Sequence, residues 1–269
     1  MEKRSSAEGL PGAASLSVVT VHLNDFEALG RTRDSLQSVL ESRSVEWIVV
    51  DGGSTPDGPR EIGILASTRL DADHFLSGPD QGIYDAMNKG IALASGDYLL
   101  FLNAGDLLHP DFRVDILFEQ LGGQAPDMAW GECYDIDRTG RQYRRRPRGT
   151  AWLRVGMPVS HQAIFFSRHF LPDPAYDTRY RYAADYDLLC RLIANGARIM
   201  HSNQPVCVFD LQGRSSQNKR AALYEESEIR RQRLGASRLF DGSIRRAKLA
   251  VWRLSSVLPR SRATWRRHL

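Results

Sequence analysis

The stretch Ser77 to Asp106, SGPDQGIYDAMNKGIALASGDYLLFLNAGD, decides the fold. It opens as a loop, runs into a short helix, tightens at Gly96 and ends as an apolar strand closed by an acidic tip. Ile83, Met87, Ile91 and Ala94 recur at helical spacing over residues 82–94, and Gly96 follows as the expected C-cap. Tyr98 to Leu102 is apolar but too short for a helix, and Asn-Ala-Gly-Asp stops it, which predicts a central strand. Open α/β sheets bind ligands at the carboxyl ends of such strands, so Asn103 and Asp106 are the first candidate functional residues.

Working outward, Leu16–Val21 and Val45–Val50 are β-branched runs that read as strands, the second ending at Asp51 before a Gly-Gly-Ser-Thr-Pro-Asp-Gly turn. A helix is expected between them from about Glu27 to Leu40, and a third short strand at Asp73–Leu76. This alternation predicts an α/β fold with a mostly parallel central sheet and right-handed crossovers. Beyond Asp106 the pattern predicts a helix over Pro110–Gln120, a strand at Met128–Gly131 and a hairpin turning at Asp137–Gly140. Further strands are expected at Ser160–Phe166, Arg198–Met200 and Val206–Phe209, and an amphipathic helix at Ala183–Ala194. Two basic helices from about Lys219 and Ile244 finish the chain. The expected organisation is a loose tail at 1–14, one large domain at 15–217 and a basic helical extension at 218–269.

With 269 residues, 42% hydrophobic and 25% charged, the chain buries a substantial core. Its net charge of +4 is unevenly placed: Lys219 onward holds 14 Lys/Arg against 4 Asp/Glu, a balance of +10 that leaves −6 before it. Ile244, Ala247, Val251, Leu254 and Leu258 share one helical face, with Arg245, Arg246, Lys248 and Arg253 elsewhere. That pattern suits either a helix packed on the main domain or a peripheral contact of 244–269 with an anionic membrane surface. Cys133, Cys190 and Cys207 show neither CxxC nor close His pairing, which excludes a disulfide framework or zinc knuckle and points to a reducing cytoplasm. No run approaches the roughly 18 apolar residues of a membrane span, so a soluble or peripheral protein is expected. Nucleotide-binding GxGxxG and GxxxxGK[ST], HExxH and GxSxG are all absent, and no nucleic-acid-binding motif appears.

Several candidates have structural readings beside the functional one. Asp51 suits a turn start, Asp106 a helix N-cap, and Asp185 and Asp187 the dipole of a helix start. His161 on an apolar strand suits a satisfied core histidine. Arg141, Arg144, Arg145, Arg146 and Arg148 suit either a solvated surface or a grip on an acidic acceptor or diphosphate.

Taken in order, Asp51-Gly52-Gly53-Ser54, Asp80, Gly82-Ile83-Tyr84-Asp85-Ala86-Met87-Asn88-Lys89-Gly90, Ala94-Ser95-Gly96-Asp97-Tyr98 and Ala184-Asp185-Tyr186-Asp187-Leu188 resemble the family 2 glycosyltransferases of the GT-A fold. The late segment Phe209, Gly213, Ser215 and Ser216 extends the resemblance, which covers Leu16 to Ser216. The middle motifs are most similar to a subgroup associated with colanic-acid-like and other surface polysaccharides.

The resemblance implies an inverting enzyme that uses a nucleoside-diphosphate sugar and a glycan or lipid-linked acceptor. It implies Asp185 as the general base, and donor contacts at Thr20, Asn24, Asp51, Gly53, Asp80, Gly82, Asn88, Lys89 and Asn103. Acceptor-side contacts fall to His161, Asp187 and Arg214, and a divalent cation, Mg²⁺ or Mn²⁺, to Asp106. Where most members carry Asp-x-Asp, this chain has Asn103-Ala104-Gly105-Asp106, which leaves one carboxylate for the metal. Ala184 stands where many relatives have Glu, and Gln212 where the late segment has Gly. The broken acidic motif also suits a non-catalytic sugar-nucleotide or glycan-binding module, against which stand Asp185 and the intact 82–90 segment.

Overall fold

In a computed structural model, the chain is described over residues 14–136, 142–210 and 218–257. Strand β1 (Leu16–His22) is buried along its whole length and β2 (Val45–Asp51) along nearly all of it. Strands covered on both faces read as continuous apolar runs, which is why both were legible. β1 pairs in parallel with β2 and with β4 (Tyr98–Phe101), and β2 with β3 (His74–Ser77). The sheet continues past β4 through β8 (Ile164–Ser167), β6 (Met128–Ile136) and β9 (Ile199–Asp210) to β5 (Leu107–Leu108), with β7 (Gln142–Arg145) against β6. β1, β2, β3, β4, β6 and β9 run one way, and β5, β7 and β8 the other. The expected mostly parallel sheet is present, and its strand order reverses between β1 and β4, where a ligand crevice belongs.

Helix α1 (Phe26–Leu40) starts at Asp25, whose carboxylate accepts from the Ala28 N–H at 3.3 Å, and buries Leu29, Leu36 and Val39 against the sheet. Helix α2 (Pro59–Asp71) was not expected. It begins with Pro at its first position, but only Leu65 and Thr68 are buried, so its apolar stripe is too thin to show as a period. Helix α3 (Ile83–Leu93) buries Tyr84, Ala86, Met87 and Gly90, and leaves Ile83 exposed, so its inner face is rotated from the expected one. Its C-cap is Ala94; Gly96 serves instead as a close-packing point, since a Cβ there would lie 2.7 Å from the Ser17 backbone nitrogen.

Helix α4 (Val114–Gln124) starts four residues after Pro110, because Phe112 N–H turns back to the His109 carbonyl at 2.9 Å and Asp111 N–H to His109 Nδ1 at 3.1 Å. The expected strand at Ser160 begins only at Ile164, after a 3₁₀ turn over His161–Ala163. The two strands expected at 198–200 and 206–209 are one, carried past Pro205 by irregular pairing with β6 between Trp130 and Cys133. A proline is tolerated within a strand at such a bulge. The hairpin strands pair antiparallel from Ile136 with Gln142, while the turn at 137–141 lies outside the described residues.

Helix α5 (Ala184–Ala194) packs against α6 (Lys219–Leu234), and α7 (Arg238–Val257) follows across Gly235. Ile229 of α6 is fully buried in the same core as the sheet, so the basic extension shares the core of the α/β body. All three cysteines are buried and unpaired as disulfides.

Candidate active site

The carboxyl ends of β1, β2, β3 and β4 meet at one edge. Asn24, just beyond β1, has φ 51°, a left-handed conformation that asparagine tolerates well. From there its N–H donates to Ser54 Oγ at 2.8 Å and its Oδ1 accepts from Thr55 N–H at 2.9 Å, which ties the β1 and β2 loops together. Gly53 needs its glycine, with φ +89° and the backbone of Gly78 and Pro79 in van der Waals reach of any Cβ. Gly52 needs its own for another reason: a Cβ there would lie 2.5 Å from Asp80 Oδ2. Asp80 thus folds over the β2 loop, and its Oδ1 accepts from Gly82 N–H at 2.8 Å to open α3. Lys89 reaches back from α3 to the Pro79 carbonyl and to Asp85, each at 3.0 Å.

Asn103–Asp106 forms a tight turn at the end of β4, and a residue that sequence reading passed over holds it. The buried Thr32 Oγ1 lies 2.8 Å from the Asp106 carbonyl and accepts from Gly105 N–H at 2.9 Å. Inside the turn, Asp106 Oδ2 accepts from Asn103 N–H at 3.1 Å and from Gln162 Nε2 at 3.2 Å. Burial outweighs these neutral donors and pushes the Asp106 carboxyl up to about 7. Next to it, Asn103 Oδ1 is buried and has no hydrogen-bond partner.

That donor set bears on the divalent cation. Among the described residues no group of three or more His, Cys, Asp or Glu forms a protein-only cage. A lone carboxylate with neutral donors and an unpartnered amide oxygen nevertheless fit a hard cation of the Mg²⁺ type, which takes one or two carboxylates and completes its shell with water and substrate phosphates.

Asp185 lies in the first turn of α5, half-buried. Its Oδ1 accepts from the Tyr84 hydroxyl of α3 at 3.1 Å and from Tyr186 N–H at 2.8 Å. Burial raises its pKa to about 6, and the carboxylate of Glu226 on α6 adds to the rise. Tyr84 stacks on Tyr176, whose hydroxyl lies 2.7 Å from His161 Nε2. Tyr84 reaches Asp185 because α3 and α5 meet there, a pairing with no local signal in the sequence.

Other expected residues face elsewhere. Thr20 is fully buried, and its hydroxyl accepts from Trp47 Nε1 at 2.9 Å, so it belongs to the core of the sheet. Asn88 binds the backbone of Tyr176 twice, through Nδ2 to its carbonyl and Oδ1 from its N–H, both at 2.9 Å, which spends its amide on packing. Asp51 is 1% exposed, with Oδ1 taken by Ser54 N–H at 2.9 Å and His22 at 3.3 Å, and Oδ2 by Ser77 Oγ at 2.7 Å. Burial alone would raise its pKa, but these partners together lower it. The residue therefore shapes the loop and presents no open oxygen.

On the acceptor side, His161 sits among Phe101, Phe166 and Tyr176, where burial drops its pKa to about 4, so it is a neutral core histidine. Asp187 is fully buried between Arg191 and Arg233, each at 2.8 Å, and has no path to a substrate. Arg214 lies outside the described residues, as do Gly213, Ser215 and Ser216. In the arginine group, Arg144 and Arg146 pair with the buried Glu132, and Arg145 with Asp135 and Ser160. These ties place the group beside the residue that precedes His161 and Gln162.

Comparison with known proteins fits this geometry. The model described as "Glycosyl transferase family 2" matches residues 17–176. An uncharacterized glycosyltransferase of Mycobacterium tuberculosis is 32% identical over 223 residues, covering 80% of this chain and 82% of the relative. A "PGL/p-HBAD biosynthesis glycosyltransferase" of Mycobacterium bovis BCG is 32% identical over 206 residues, covering 70% and 75%. Among solved structures, S. aureus TarS 1–349 in complex with UDP is similar with a TM-score of 0.60 at 14% identity, covering 93% of this chain and 74% of that one. The mannosyltransferase PcManGT from Pyrobaculum calidifontis, in complex with GDP-Man and Mn²⁺, gives 0.56 at 18% identity over 88% and 69%. The architecture of these neighbours is GT-A.

Proposed function

The chain belongs to glycosyl transferase family 2, and on that premise we propose that it transfers a sugar, with inversion, from a nucleoside-diphosphate sugar to a glycan or lipid-linked acceptor. The observation that carries this reading is Asp185, half-buried at the start of α5 and hydrogen-bonded by Tyr84 of α3, the helix that the Asp80–Gly82 loop opens. An acceptor hydroxyl oxygen attacks C1 of the sugar, the bond from C1 to the diphosphate oxygen breaks, and the hydroxyl proton passes to Asp185. Asn24, Gly53, Asp80, Gly82 and Lys89, gathered by the loops after β1, β2 and β3 and the start of α3, would take the donor. Asp106 with Asn103 would hold Mg²⁺ or Mn²⁺, which as a Lewis acid neutralises charge on the departing diphosphate. Every step apart from that neutralisation rests on side chains of the protein itself.

The "PGL/p-HBAD biosynthesis" relatives support a place in glycan biosynthesis, and the resemblance to surface-polysaccharide enzymes suits a cell-surface product. A second contact suits a lipid-linked acceptor. On α6 and α7, Leu239 is 81% exposed and Phe240 42%, near Arg238, Arg245 and Arg246, and the Arg245 guanidinium lies 4.8 Å over Tyr224. Exposed apolar side chains among arginines fit an anionic membrane surface. No helix of the described residues is long and apolar enough to cross a membrane.

The direct test is release of nucleotide from a panel of UDP-, GDP- and dTDP-sugars, with and without Mn²⁺. Turnover of one donor, lost in Asp185→Asn, is the expected result; no turnover of any donor by the wild type would sink the reading.

A further inference from the structure

The helix that carries Asp185 begins without a cap of its own. Its N-cap is Ala183, preceded by Tyr182, and neither has a short polar side chain to take the free N–H groups of a helix start. What holds the helix start is one carboxylate from the distant α6, which takes the N–H groups of Ala183 and of the two residues before it. Glu225 Oε1 accepts from Arg181 N–H at 3.0 Å, and Oε2 from Tyr182 and Ala183 N–H at 2.8 and 3.0 Å. Two further ties fix α6 there: Arg233 pairs with Asp187 at 2.8 Å, and the Tyr180 hydroxyl donates to Gln232 at 3.1 Å.

Asp185 stands two residues beyond Ala183, so the backbone that Glu225 pins leads directly into the turn that aims it at Tyr84. We propose that Glu225 is a positioning residue for Asp185, and that the basic C-terminal extension is through it a working part of the catalytic centre. The inference rests on Asp185 being the base. Without the Glu225 tie the start of α5 loosens and Asp185 meets more water, which lessens the burial that raises its pKa. Glu226, the next residue, already faces Asp185 and is itself held by Arg230 and Lys248. The other groups against Asp185 are the hydroxyls of Tyr84 and, one ring further, Tyr176, both with pKa pushed far up by burial and so neutral.

The test compares E225A, E225Q and D185N in the full chain, using whichever nucleotide sugar the panel identifies. Two readouts are taken: transfer kinetics, and titration of the Asp185 carboxyl by NMR in ¹³C-aspartate-labelled protein, assigned by its loss in D185N. A base displaced by about an ångström loses on the order of 100-fold in rate, so kcat of E225A should fall by about 10- to 100-fold with donor KM unchanged. The Asp185 titration and the acid limb of the rate profile should move together to lower pH. E225Q keeps one acceptor oxygen and should recover part of kcat, which guards against a fold defect in E225A. Wild-type kcat and an unmoved Asp185 titration in E225A, with D185N inactive, overturn the inference and leave the base assignment standing. Transfer by D185N at the wild-type rate overturns both.

Discussion

Asp185 is kept in surroundings that favour its protonated form, since burial raises its pKa from 3.8 to about 6. A carboxyl whose folded pKa lies above its unfolded one weakens the fold when ionised, so the cost is absent below about pH 4 and complete above about pH 6. Asp185→Asn should therefore lose transfer by about 10² to 10⁴ and yet melt higher than the wild type at pH 8. The gain is about 1 to 3 kcal/mol, roughly 2 to 8 °C, and calorimetry should show it vanish near pH 4. Activity should fall as pH drops through about 6, where the base takes up its proton. Asp187 behaves oppositely despite lying two residues away. It is buried between two arginines, so Asp187→Asn should cost about 1 to 3 kcal/mol of stability, the worth of hydrogen bonds to charged groups. A melting temperature for Asp187→Asn equal to that of the wild type would contradict the buried-pair description. At Thr32 a single hydroxyl holds the Asn103–Asp106 turn, and Thr32→Val leaves the Gly105 N–H and Asp106 carbonyl unpaired. Loss of about 1 to 3 kcal/mol is expected, together with weaker Mn²⁺-dependent nucleotide binding by calorimetric titration.

Elements were legible where burial was two-sided or a face was strongly apolar. β1, β2, β4 and α5 could be read directly, because their runs leave no alternative period. α2 was missed because it buries too little, and the start of α4 was misplaced because His109 and Pro110 make a turn that apolar spacing does not register. The same limit explains the site. Asp106, Asp185 and the glycine loops carry chemical signatures along the chain, whereas Thr20, Asn88 and Asp187 have the right residue types but are consumed by Trp47, Tyr176 and two arginines. Tyr84, Thr32 and Glu225 act across 40 or more residues of sequence, beyond any local pattern. The Ser-Gly-Asp-Tyr segment at 95–98 illustrates the point, for its work is joinery: Glu46 takes the Ser95 and Gly96 N–H groups, and Asp97 takes Ser15. Gly96→Ala should accordingly destabilise by about 1 to 3 kcal/mol through overpacking against Ser17, which urea unfolding would register.

For the whole molecule, the proposed nucleotide binding and the proposed membrane contact are tested apart. A nucleoside diphosphate with Mn²⁺ at about 100 times its Kd should stabilise the fold by roughly 2.7 kcal/mol, or about 5 to 10 °C. No shift with UDP, GDP or dTDP would remove the donor-site assignment. Co-sedimentation with vesicles containing anionic lipid should be lost in a Leu239→Ser, Phe240→Ser protein and retained in Asp185→Asn; equal sedimentation of the Ser variant and the wild type excludes the contact. Point variants are the right tool, because a chain cut near Gln217 also discards Glu225. That dependence gives the molecule an order in time. During synthesis the loops proposed for the donor leave the ribosome early, Asp185 follows much later, and the carboxylate that pins the backbone before its helix arrives 40 residues after that. A nascent chain therefore carries its proposed base before it carries the residue that would aim it.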